Sequence, residues 1–181
     1  QGKEYSEQQV KNQKDIISLI SKEYPFDDYH QADFQSCYLD TIPIVQLIDE
    51  VSNFIRKIKP DIMYLPHPHD IHSDHGRVFD AGISCAKSFR YPYIKKVRIY
   101  ETLSETEFSL NIDGKGFKPN LFIDVSSQLE EKINIMKLYE GEMGKHPFPR
   151  SEDNIRSLAT LRGATAGCIF AESFMSIKEI L

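Results

Sequence analysis

The chain has 181 residues, 40% of them hydrophobic and 27% charged, which fits one soluble globular domain over 1–181 and excludes a disordered chain. Its formal net charge of -5 argues against nucleic acid as a partner, and no apolar run approaches the roughly 20 residues needed to cross a bilayer. Cys37, Cys85 and Cys168 form no CxxC pair, and no secretory leader is read at the start, so free thiols in a reducing, cytoplasmic setting are expected.

Apolar spacing predicts a first helix from Ser6 to about Lys22, with Val10, Ile16, Ile17 and Ile20 on one side and Pro25 closing it. Phe26 to Asp40 reads as loop. The next helix is the clearest: Thr41 is placed to cap it, Pro43 suits its first turn, and Ile44, Leu47, Ile48, Val51, Phe54, Ile55 and Ile58 recur every three or four residues. Pro60 stops it, and Asp61–Leu65 is a short apolar run suited to a buried strand. A helix is expected from about His75 to Phe89. Lys96–Tyr100, Phe108–Ile112 and Leu121–Val125 read as strands, with a turn at Asp113-Gly114. Gln128 to about Glu142 reads as a helix, and Ser151 caps a last one to about Ala166. Strands alternating with helices predict an α/β fold with a mainly parallel sheet.

In open sheets of that kind, sites form beyond the C-terminal ends of strands. The segment that follows Leu65 is Pro66-His67-Pro68-His69-Asp70-Ile71-His72-Ser73-Asp74-His75, which holds four of the six histidines within nine residues, beside two aspartates. Imidazoles bind zinc well, and carboxylates orient imidazoles or bind metal themselves. A lone histidine is usually an ordinary surface or core residue, but this density at a strand-to-helix turn points to function. Spacing alone locates a site without naming its metal. His72 and His75 stand three apart, and either could ligate while the other faces a substrate.

Pro68-His69-Asp70-Ile71-His72-Ser73-Asp74-His75 resembles the second metal motif of the LmbE-like, or PIG-L, de-N-acetylases, whose pattern is Pro-x-Asp-x-His-x-Asp-His between a strand and a helix. Further segments are similar to that family: Lys59-Pro60-Asp61-Ile62, Phe117 to Ser126, His146-Pro147, Arg150-Ser151, Arg162-Gly163 and Ala171-Glu172-Ser173-Phe174. The resemblance implies a Rossmann-like three-layer α/β/α domain. It implies metal-assisted hydrolysis of the N-acetyl group of an N-acetylglucosamine-type sugar, in polysaccharide, lipopolysaccharide or glycolipid biosynthesis. It implies Zn2+ as cofactor, with His75 as a metal ligand and His72 as the residue that stabilises the oxyanion or protonates the leaving amine. Asp74 would set the tautomer of His72 and raise its pKa. Asp70, Arg150 and His146 are carried over as substrate-facing residues. For Arg150, a solvated arginine at a helix start is the plain alternative. A His-Asp-His set with open positions also accepts ferrous iron or cobalt.

One departure from the family pattern is plain. The family's first motif, of the type His-Pro-Asp-Asp-Glu, supplies two metal ligands and the general base, and this sequence does not contain it. The expectations that follow are an N-terminally truncated domain, weak activity and metal binding by this chain alone, and an unpaired sheet edge open to another chain, a homo-oligomer included. A catalytically incomplete member that binds a sugar or a partner is the alternative.

Overall fold

The computed structural model describes residues 6–110, 114–139 and 141–181. The chain forms two compact units: one gathers the described residues up to Gln31 with Asp124–Ala171, the other Ala32–Ile123 with Glu172–Leu181.

The second unit is built on a strand–helix–strand motif. The helix α2 (Ile44–Ile58), here numbered after α1 (Glu7–Glu23) of the first unit, has Pro43 at its N-cap. Thr41, expected to cap it, instead ends a short 3-10 turn, Leu39–Thr41, because Pro43 cannot continue a hydrogen-bonded turn from upstream. Lys59 closes α2 in a left-handed conformation (φ 53°), its amide donating to the Ile55 carbonyl at 2.7 Å. Pro60 follows, and β1 (Ile62–Pro66) begins. Helix α3 (Ser73–Ser84) crosses back to β2 (Lys96–Tyr100), which pairs in parallel with β1 through Met63↔Val97 and Leu65↔Ile99. That crossover is the connection a parallel pair requires. It is shorter than expected, ending at Ser84 rather than near Phe89. The core lies between α2, α3 and this pair: Ile55, Met63, Leu65, Cys85, Tyr91, Ile94 and Val97 are buried together. A Cβ at Gly82 would run into the Leu65 side chain, so glycine there lets α3 lie close against β1.

The sheet order is β1-β2-β4-β3, with β3 at Leu121–Asp124 and β4 at Ala171–Glu179. The α/β fold is the one expected. The sheet is mixed rather than mainly parallel, since β4 runs antiparallel to β2 with a register shift at Val97/Arg98. The expected strand at Phe108–Ile112 is absent where it can be followed: Glu107–Ser109 form a 3-10 turn, Leu110 is left-handed, and residues 111–113 lie outside the described segments.

In the first unit, α1 starts at a capping box in which the Ser6 hydroxyl accepts the Gln9 amide and the Gln9 side chain accepts the Ser6 amide. Helix α4 (Leu129–Met136) packs on α5 (Glu152–Ala166), with Leu129, Ile133, Ile155 and Ala159 buried. The Ser151 hydroxyl caps α5 as expected, accepting the Asn154 amide at 3.2 Å. The helix α4 ends at Met136, short of the predicted Glu142, and successive turns follow.

Candidate metal and catalytic site

Pro66 ends β1 in the buried part of the sheet, and the chain must turn before α3 can begin. It does so over His67–His72, with the Asp70 amide donating to the His67 carbonyl at 3.3 Å. His72 is the N-cap of α3. Its Nδ1 accepts the Asp74 amide at 3.2 Å, so the ring proton of the neutral form sits on Nε2. A histidine ring thus serves in place of the usual Ser, Thr, Asp or Asn cap.

His75, one helical position further on than Asp74, turns its Nδ1 to Asp70 Oδ2 at 2.7 Å. The Asp70 side chain is 0% exposed and that of His75 23% exposed. The carboxylate therefore holds Nδ1–H from below and leaves the Nε2 lone pair of His75 outward, which is how metal-binding histidines are usually oriented. The rings of His72 and His75 lie stacked, with centroids 5.1 Å apart and planes 13° apart. The two histidines singled out from the sequence are side by side.

Two expected roles change. Asp70, carried over as substrate-facing, is buried and committed to His75, because a carboxylate in the turn under the first helical turn has no path to solvent. The Asp74 carboxylate does not bond the His72 ring. Its Oδ2 accepts the Cys37 amide at 2.6 Å and its Oδ1 the Leu39 amide at 3.2 Å, so its contact with His72 runs through its own backbone. Asp74 fastens the 37–42 loop to α3, assisted by Arg77, whose Nη2 donates to the Ile42 carbonyl at 3.1 Å. A carboxylate in the first turn also suits the helix dipole.

That loop delivers a residue the sequence did not single out. Cys37, in a left-handed conformation (φ 66°), places its Sγ 3.7 Å from His72 Nε2. Cys37, His72 and Asp74 bring one donor atom each within 4.8 Å of one another. No local pattern signals this, since Cys37 and Asp74 meet only through the fold. An apolar cavity of about 320 Å³ opens beside them, walled in part by Phe34, Leu47, Val51 and Val78 and touching Asp74.

Beneath the site, His67 is 2% exposed and its Nδ1 stands 3.5 Å from Asp70 Oδ1. Burial is the main influence on His67 and pushes its pKa below the usual histidine value. Burial first, and the Asp70 charge second, raise the phenol of Tyr100. His146 and Arg150 belong to the other unit. There the Arg150 guanidinium pairs with Glu142 at 2.9 Å, donates to the Glu142 carbonyl and stacks over Phe148. Among the described residues no helix is long and apolar enough to cross a membrane.

The chain is similar to known proteins. The profile of the GlcNAc-PI de-N-acetylase family, PIG-L, matches residues 2–86, which include the whole 67–75 segment. Diacetylchitobiose deacetylase of Thermococcus kodakarensis is 25% identical over 138 residues, 72% of this chain and 50% of that protein, so the chain spans about half the length of this curated relative. Two solved structures share the fold. Diacetylchitobiose deacetylase of Pyrococcus horikoshii has a TM-score of 0.71 at 14% identity, over 92% of this chain and 63% of that one. A conserved protein of Thermus thermophilus has a TM-score of 0.75 at 15% identity, over 99% of this chain and 78% of that one. The chain thus carries a PIG-L family match over residues 2–86 and has homology to a diacetylchitobiose deacetylase.

Proposed function

We propose that this chain carries part of the active site of a metal-dependent deacetylase that hydrolyses the N-acetyl group of an N-acetylglucosamine-type sugar. The observation that carries this reading is the Asp70–His75 pair: a buried carboxylate orients an imidazole whose second nitrogen is left available beside His72. The donor chemistry fits a divalent ion, zinc first, with His75 as one ligand. Such an ion, when bound, polarises the amide carbonyl and acidifies its bound water.

The chain's own groups have distinct tasks. Asp70 fixes the His75 ring. His72, with Nδ1 occupied by the helix cap, presents Nε2–H, a donor suited to the oxygen that becomes negative when the amide carbon turns tetrahedral. Asp74 holds the loop that borders this donor. Cleavage of the C–N bond with addition of water releases acetate and the free amino sugar. Three free thiols support a reducing, cytoplasmic location, and sugar-polymer or glycolipid synthesis is the setting in which such an activity is used.

The test is release of free amine from N-acetylglucosamine and diacetylchitobiose with zinc present. One motif supplies one of the three protein ligands usual at a catalytic zinc, so residues 1–181 alone should be slow. The same chain extended upstream by a strand unit of roughly 30 residues or more that carries a His-Pro-Asp-Asp-Glu motif should be fast. In the fast form His72→Ala should lose about 10²–10³-fold in kcat with zinc retained, and His75→Ala should lose both zinc and activity. Amine release that is indifferent to His75→Ala ends the proposal. Sugar binding without release by either form favours the incomplete, sugar-binding reading instead.

A further inference from the structure

We infer that His67 is a positioning residue for His75, acting through Asp70. The inference rests on the reading of His75 as a metal ligand and adds a group behind it.

Three side chains stand in a row. His67 Nδ1 is 3.5 Å from Asp70 Oδ1, and Asp70 Oδ2 is 2.7 Å from His75 Nδ1. His75 satisfies one carboxylate oxygen. The other oxygen, and the His67 nitrogen that faces it, are both buried and have no hydrogen-bond partner of good geometry. Buried polar groups left unpaired are costly, and here two of opposite character face each other. A slight turn of either side chain satisfies both at once, provided the His67 ring proton is on Nδ1. A neutral His67 has one ring proton to give, and its burial favours the neutral form.

The pairing gives Asp70 two imidazole donors, one on each oxygen. With only His75, the carboxylate could rotate about its last bond and take the ring with it. With His67 on the opposite oxygen, that rotation costs a hydrogen bond. His67 is itself well fixed. It directly follows β1, is almost fully buried, and meets Phe117 and His69 edge-on, each with ring centroids 5.7 Å away. The chain His67–Asp70–His75 therefore ties the direction of the His75 Nε2 lone pair to the end of a strand. Outer partners of this kind commonly change metal affinity about 10–100-fold.

Two measurements test it. In the metal-free protein labelled with 15N-histidine, the ring nitrogens of His67 and His75 should both report the Nδ1–H form. An Nε2–H form for His67 overturns the inference whether or not zinc binds. In zinc titration, His67→Phe, which keeps the ring but has no nitrogen, should weaken binding about tenfold or more. His67→Asn, which sets an N–H near the position of Nδ1, should restore most of the loss while giving up the ring packing. Equal affinity of wild type and His67→Phe, or equal loss in Phe and Asn variants, overturns the inference. Zinc binding unaffected by His75→Ala defeats the metal reading instead, and the tautomer measurement then decides the role of His67 on its own.

Discussion

Asp70 and Arg156 each sit between two chargeable partners, and the two arrangements do opposite things. Asp70 is enclosed between His67 and His75, its side chain wholly shielded from water. Arg156 lies on the surface between Glu130 and Glu152, with Lys137 pairing Glu152 from the other side at 2.9 Å. In the first case low polarity makes each hydrogen bond directional and each missing one expensive, so the cluster fixes geometry. In the second, solvent screens the charges, and the cluster adds little to stability while keeping α4 and α5 in register. Burial, rather than the number of charges, separates the site from the surface.

The sharpest way to break this comparison is Asp70→Ala. Removing the shared carboxylate frees the His75 ring and should lower zinc affinity about 10–100-fold by titration calorimetry. An unchanged affinity would place Asp70 in the same class as the surface carboxylates.

An intermediate case lies in the same unit. Lys178 on β4 donates from Nζ to the Ala86 carbonyl at 2.8 Å and to the Ile94 carbonyl at 2.9 Å, tying the last strand to the segment after α3. Lys178→Met keeps the apolar stem but strands both carbonyls, and should cost about 1–2 kcal/mol in denaturant unfolding.

The smallest effect belongs to Arg156→Ala, which should shift thermal unfolding only slightly at moderate salt. Its pH dependence gives the sign. Arg156 is the first cause that holds Glu130 below the usual carboxylate range, and for Glu152 it comes second to Lys137. Carboxyls whose folded pKa is depressed stabilise above their unfolded value near 4.5 and lose that contribution as pH falls through the folded value. The difference between wild type and Arg156→Ala should therefore be present at neutral pH and vanish in acid, and melting curves at the two pH values measure it.

The same contrast explains what could be read from the chain beforehand. Elements set by local rules were legible: the first helix near Ser6, the Ser151 cap, the apolar stripe of α2, the β2 strand at Lys96–Tyr100, and the 67–75 segment at the mouth of β1. Features set by distant partners were not. Ala171–Glu179 alternates too weakly to mark a strand, and its place beside β2 depends on pairings such as Lys96↔Glu179. The family resemblance implies that Asp74 partners the His72 ring. Its carboxylate is taken by Cys37 and Leu39, which the sequence places more than thirty residues earlier. The family resemblance implies a substrate-facing Asp70; only the fold shows that the turn has closed over it.

The order of the strands carries a consequence for how the protein is made. The strand that joins β2 to β3 is β4, and it is synthesised after both. On the ribosome the β1–α3–β2 motif, with the histidine segment inside it, can form early, whereas β2 and β3 must wait side by side with an open slot between them. Such late, long-range closure is slow and leaves backbone edges exposed to neighbouring nascent chains. Yield should then depend on how quickly the distal end of the sheet emerges, with chaperone demand set by that delay rather than by the stability of the finished core.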